Sequence, residues 1–276
     1  MPRYYAKKPT QTEIREEIET DTNTYLLTRR NSDWSSMLYI GGLTTYCIEC
    51  QIIYNSPIAD LAKIEYVEPC TLTGRFKRGS DTVGILELLL SYIQQNFKHI
   101  RQLQFDDYSY RECDDCRRID LASFSYVLHE KTWYMKTMGA KFANKVDEEM
   151  FQLANKEFQE NKANTSWIEY DRYVTTAHPL PEEEMQKVFE ENKTWKSFFN
   201  ALISRLDIAK LCVYMEPWIK QFVKEMAKLQ FSNMRFAMNV PNPLLKTVSY
   251  ASRPYVKNGG RFTVKQRRFR KGVDVR

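Results

Sequence analysis

The sequence predicts an α+β fold, a mixed sheet with flanking helices, followed by a helical region and an extended, basic C-terminal arm. Three observations predict it. Runs rich in β-branched and aromatic residues, parted by turn residues, fill the stretch after residue 23. A strand–turn–helix–strand–helix order follows, and from Lys145 to about residue 240 helical periodicity dominates. Positive charge gathers at the end: eight Lys and Arg against one acid from Lys257 onward, in a chain of net charge +6. The other 256 residues are therefore close to neutral.

Taken in order, residues 1–23 are polar, and Glu13 to Glu19 has the composition of one or two helical turns. Tyr25–Thr28, Met37–Ile40 and Thr45–Tyr54 read as antiparallel strands, with Asn31-Ser32-Asp33 and Gly41-Gly42 as turns between them. Ala62 to Val67 reads as a further strand. Past Pro69 and Gly74, Val83, Leu86, Leu89, Leu90 and Ile93 recur at helical spacing. Ile100 to Phe105 is the next strand, and Leu121 to Thr137 a helix closing near Gly139. Glu148–Gln159, Pro181–Asn192, Thr194–Ser204 and Pro217–Lys228 carry the helical half, with Cys212 to Glu216 read as a connection. Pro241, Pro243 and Pro254 then keep the chain extended. The expected divisions are a polar segment (1–23), an α/β domain (24–144), a helical region (145–240) and the arm (241–276).

Composition narrows the function classes. At 43% apolar and 13% aromatic residues, a chain of 276 residues can bury a core and is not mainly disordered. The most apolar run, Ile85 to Leu90, is broken by Glu87 and falls far short of the roughly 20 residues of a membrane span. The start lacks an apolar signal core, so the expectation is a chain without a membrane span that is not secreted. Six cysteines in this length do not make a disulfide framework. A reducing compartment is expected, with Cys70 and Cys212 as core thiols.

The most function-like element is the turn Lys77-Arg78-Gly79-Ser80-Asp81-Thr82-Val83-Gly84 at the head of a helix, where free backbone N–H groups and the helix dipole favour an anion. With the later Thr132-Trp133-Tyr134, this order resembles the GNAT acetyltransferase fold over residues 24–142. The resemblance implies a loop holding the pyrophosphate of acetyl-CoA through Arg78, Gly79, Ser80, Thr82 and Gly84, and Tyr134 as the acid protonating the departing thiolate. The family's loop has Gln or Arg, two residues, Gly, one residue, then Gly or Ala. Aligned on Arg78, its two small positions are Asp81 and Val83. A carboxylate there opposes a diphosphate by charge, and a β-branched side chain hinders close backbone approach. Ser80 and Asp81 are also N-cap residue types that satisfy the same N–H groups.

Other motifs carry two readings each. Cys47-x-x-Cys50 and Cys113-x-x-Cys116 supply enough thiolates for Zn²⁺ by spacing, but the first pair lies in a strand, where residues three apart face opposite sides. His99, His129 and His178 are far apart and point to no local metal motif or triad. Asp106-Asp107 and Asp114-Asp115 have the composition of a Mg²⁺ or acid–base site and, more simply, of solvated loop acids. The tail residues Arg261, Phe262, Lys265, Arg267, Arg268, Phe269, Arg270 and Lys271 combine cations with aromatics, suited to nucleic acid or to an acidic protein surface.

Together Arg78 to Thr82, Leu103 to Ser109, Lys131 to Tyr134, Trp195 to Phe199 and Cys212 to Ile219 resemble a poorly characterised family of GNAT-like-fold proteins from large eukaryotic DNA viruses, over about residues 25–230. That resemblance implies a viral origin and an imperfect CoA loop. The leading expectation is a non-enzymatic virion component, a minor capsid protein whose arm binds other capsid proteins, found in the virion and in the host cytoplasm during assembly. It needs no cofactor. The alternatives are an acyl-CoA-dependent N-acetyltransferase and a virion protein holding nucleic acid through its tail.

Overall fold

A computed structural model describes residues 12–64, 70–72, 80–115 and 117–256. The fold is mixed α+β, and the chain divides into two compact units: Met1–Phe105 with Asn239–Arg276, and Asp106–Met238.

The first unit opens with five strands, β1 (Thr12–Glu19), β2 (Thr24–Asn31), β3 (Ser35–Gly41), β4 (Tyr46–Ile53) and β5 (Ile58–Ile64), each antiparallel to the one before. Helix α1 (Ser80–Asn96) then carries the chain to β6 (Gln102–Asp106), which pairs parallel with β5, as a parallel neighbour requires a crossover. Alternation sets the core face: Leu38 and Ile40 of β3 stand opposite Cys50 and Ile48 of β4, and all four are buried. At the β3–β4 turn a Cβ on Gly41 would collide with the Thr45 carbonyl oxygen and sit 2.8 Å from the Tyr46 Cα, so only glycine fits the close approach. Ile85, Leu86, Leu88, Leu89 and Ile93 of α1 are buried.

Two expectations for this unit need correction. Glu13 to Glu19 is a strand and not a pair of helical turns. Its backbone is paired along its whole length with β2, and Ile18 is fully buried, so tertiary pairing overrides the helix-forming glutamates. The predicted strand at Ala62–Val67 begins earlier, at Ile58, because Pro57 and the Ser56 cap on the Ile58 amide (3.0 Å) define its start.

The second unit contains β7 (Tyr110–Glu112) and β8 (Arg118–Asp120) as a hairpin, then α2 (Leu121–His129), α3 (Trp133–Met138), β9 (Lys141–Phe142), α4 (Lys145–Asn161), α5 (Trp167–Asp171), α6 (Glu182–Glu191), α7 (Trp195–Arg205), α8 (Ile208–Met215), α9 (Ile219–Phe222) and β10 (Arg235–Asn239). Side-chain caps place these helices: Asn144 on Asp147, Ser166 and Thr194 in capping boxes, and Asp207 on Lys210. The core is aromatic. Trp195, fully buried, has Phe222 at 4.9 Å and Phe158 stacked at 5.8 Å, and its indole N–H donates to Asn161 Oδ1 at 2.8 Å.

Here too the sequence reading is corrected. The single helix expected over Leu121–Thr137 is two, because Glu130 takes a left-handed conformation (φ 57°) and Thr132 caps a new helix on the Met135 amide. Cys212 to Met215 is no connection but the second half of α8, begun by the Asp207 cap and closed by Glu216 as its C-cap. The helical half also contains strand, since β10 pairs antiparallel with β9 through Phe236 and Phe142.

After β10 the chain rejoins the first unit as a strap. The Lys246 N–H donates to Glu87 Oε1 and the Val248 N–H to Ser91 Oγ, both at 2.9 Å, and the Tyr250 ring lies 6.1 Å from Tyr92. β11 (Ala251–Pro254) then pairs antiparallel with β1. Up to Val256 this proline-punctuated stretch packs on the first unit through these contacts and through β11.

Candidate functional site

Of the residues read as a cofactor loop, Arg78 and Gly79 lie outside the described residues. Ser80 opens α1, Asp81 stands in its first turn, and Thr82 and Gly84 follow within the helix. A Cβ on Gly84 would meet nothing within 4 Å, so no neighbouring backbone demands glycine there. Burial, with the Asp81 charge adding to it, holds the Tyr25 hydroxyl up at about 12. Asp81 thus places a carboxyl group of the chain itself in the first turn, at the positive end of the α1 dipole.

Tyr134 sits on α3 and is 5% exposed. Burial, and then the nearby charge of Asp107, pushes its hydroxyl well above the ordinary tyrosine range. Three clefts on this unit, of about 610, 710 and 600 Å³, do not include it among their walls. A general acid must touch the group it protonates and have a pKa near the working pH. Tyr134 is a buried side chain of α3.

Asp107 departs from its reading as a solvated loop acid, because it is 2% exposed. Its Oδ1 accepts the Ser109 N–H at 3.0 Å and the Ser109 hydroxyl, while Oδ2 has no hydrogen-bond partner. Burial pushes its carboxyl up to about 6 against those two hydrogen bonds, and Asp120 adds to the rise. Among the described residues no group of three or more Asp, Glu, His or Cys side chains forms a metal site.

The cysteines are paired differently from either expectation. Cys47 bonds to Cys70, 23 residues on, and Cys113 to Cys212, 99 residues on, each with Cα atoms 5.6 Å apart. Cys47 and Cys113 are therefore not thiolates free for Zn²⁺, and Cys70 and Cys212 are not free core thiols. Cys50 is a buried free thiol, and Cys116 lies outside the described residues. Linear spacing carries no signal for partners this distant.

Two constellations escaped sequence reading. His178 Nε2 lies 2.9 Å from Asp171 Oδ1 and its Nδ1 lies 3.2 Å from the Tyr214 hydroxyl, which is 3.0 Å from the buried Tyr170 hydroxyl. These four side chains pin the turn after α5. Lys162, 3% exposed, donates to the Phe189 carbonyl at 3.0 Å with its ammonium 3.3 Å from the Phe189 ring centroid. Burial and then Lys193 draw its pKa down to about 8, with Glu190 opposing. It closes the C-terminal end of α6, as a cation does at a helix end.

The exposed face of α4 is the feature with the clearest reach outward. Phe151 and Phe158 bury one side of the helix. On the opposite side Val146, Met150 and Leu153, spaced i, i+4 and i+7, are 64%, 51% and 62% exposed. Glu149, Glu157 and Glu160 flank this stripe and pair only with highly exposed lysines, at 3.2, 4.0 and 3.9 Å. Apolar side chains this exposed and this closely spaced on one helix face make a candidate contact surface. The i, i+4, i+7 spacing was the signal available in the sequence.

The tail residues Arg261, Phe262, Lys265, Arg267, Arg268, Phe269, Arg270 and Lys271 lie outside the described residues. No described helix is long and apolar enough to cross a membrane. No family model, curated protein or solved structure matches the chain.

Proposed function

We propose that this chain is a non-enzymatic structural component of a large DNA virus particle, a minor capsid protein built on a degenerate acetyltransferase-like scaffold. Support for the scaffold comes from the antiparallel strands β2 to β5, continued by a parallel β5–β6 pair joined through α1. Support for lost chemistry comes from Asp81 in the first turn of α1 and from the enclosure of Tyr134. The single observation that carries the assembly role is the outward apolar stripe of α4, Val146-Met150-Leu153. The basic residues beyond Val256 supply a second contact element, for which neighbouring virion proteins are the intended surface.

Isothermal titration of the full chain with acetyl-CoA tests the non-enzymatic part. The reading expects no heat at millimolar cofactor. Micromolar binding would overturn it in favour of an N-acyltransferase using Arg78 to Gly84 and Tyr134.

A further inference from the structure

Helix α4, residues 145–161, carries five acids against two bases, a formal charge of −3. The tail, residues 257–276, carries eight bases against one acid, a formal charge of +7. The two segments are opposite in charge, and they are alike in texture. The tail interleaves its cations with Phe262, Val264 and Phe269. The α4 face interleaves exposed Val146, Met150 and Leu153 with Glu149, Glu157 and Glu160. An acidic field alone would attract any cation. The apolar stripe adds a requirement for aliphatic or aromatic side chains at short intervals, which inorganic counter-ions and a simple polycation do not meet.

Here we infer that the tail of one copy, residues 257–276, docks on the exposed α4 face of a second copy. The choice of a second copy as partner rests on the structural role proposed above. Tail and α4 are different patches on one molecule, so the contact is heterologous. Such a contact repeats from copy to copy and either closes into a ring or extends as a row. Charge steers the encounter and sets its salt dependence, while burial of the apolar side chains on the stripe sets its lifetime. The local lysine partners of the α4 glutamates do not prevent this, because pairs exposed to this degree hold little energy.

The test is sedimentation velocity on the full chain over about 1–100 μM, at low and at high salt, with a fluorescein-labelled 257–276 peptide titrated in parallel against the full chain. The inference expects concentration-dependent self-association and peptide binding, both weakened by salt. Replacing Arg267, Arg268 and Arg270 with Gln weakens both by roughly tenfold, three exposed charge contacts being worth about 0.2–1 kcal/mol each. Met150→Lys, exposed and so harmless to the core, abolishes peptide binding; Met150→Leu retains it. A chain monomeric throughout, association insensitive to the tail, or a peptide that binds the Met150→Lys chain as well as the native one would each overturn the inference. So would tail-dependent binding of duplex DNA without self-association. If the chain is monomeric yet the tail is still needed for incorporation into particles, this inference fails and the structural role stands.

Discussion

Removing the Cys113–Cys212 disulfide tests the organisation of the helical unit. The bond spans 99 residues, from the end of the β7 strand to the middle of α8. In the loop-entropy relation a closure of about that length removes roughly 4.7 kcal/mol of freedom from the unfolded chain. Cys113 is 6% exposed and Cys212 fully buried, so Cys113→Ala with Cys212→Ala adds only a small cavity to the loss. Four of the five tryptophans, Trp133, Trp167, Trp195 and Trp218, belong to this unit and the fifth, Trp34, is already exposed in the other, so the change in tryptophan fluorescence in urea is dominated by its unfolding. With a denaturant slope of about 2 kcal/mol per molar, the midpoint falls by about 2 M. The matching Cys47→Ala, Cys70→Ala variant leaves that transition in place, since its loop of 23 residues closes in the other unit. An unchanged midpoint, or free Cys113 and Cys212 thiols in a non-reducing peptide map, would refute the pairing.

Other perturbations have outcomes the structure dictates. Because burial raises the folded Asp107 carboxyl to about 6 from 3.8, the stability it confers is present in full below about pH 4 and lost as pH rises through about 6. The loss is about 3 kcal/mol; in Asp107→Asn the pH slope between 4 and 6 in urea titrations flattens, and a persistent slope would show the wrong group was named. Lys162, lowered from 10.5 to about 8, destabilises the fold below about pH 8 and ceases to do so above about pH 10.5. Its replacement by Met should erase that alkaline gain in thermal melts. Trp195→Ala empties a fully buried site and should cost about 3–5 kcal/mol by denaturant unfolding. Gly41→Ala forces a Cβ against backbone and should cost about 1–3 kcal/mol in the first unit.

Much of the fold was legible because local patterns decided it. The alternation in Met37–Ile40 and Thr45–Tyr54 sets which face of the sheet is buried, and the apolar spacing of α1 survives into the structure unchanged. What was illegible depends on distant partners. Glu13 to Glu19 is a strand because β2 and β11 pair with its backbone, and β11 comes from the other end of the chain. Glu87, which interrupts the apolar run of α1, has its reason 159 residues away, where it accepts the Lys246 amide. The His178–Asp171–Tyr214 constellation has no linear signature either, since it depends on how the turn after α5 folds back. At the candidate site the sequence read Ser80 and Asp81 as N-cap residue types, whereas the structure places both inside α1, with Asp81 in the first turn. It missed the α4 stripe because helical periodicity announces one apolar face, and the second became visible only once Phe151 and Phe158 were seen to occupy the first.

Quantitative mass spectrometry of washed, purified particles tests the structural role most directly. The account predicts this chain in a fixed ratio to the principal shell protein across preparations, falling when Arg267, Arg268 and Arg270 are neutralised. Absence from particles, while the chain remains abundant in infected cells, would contradict it.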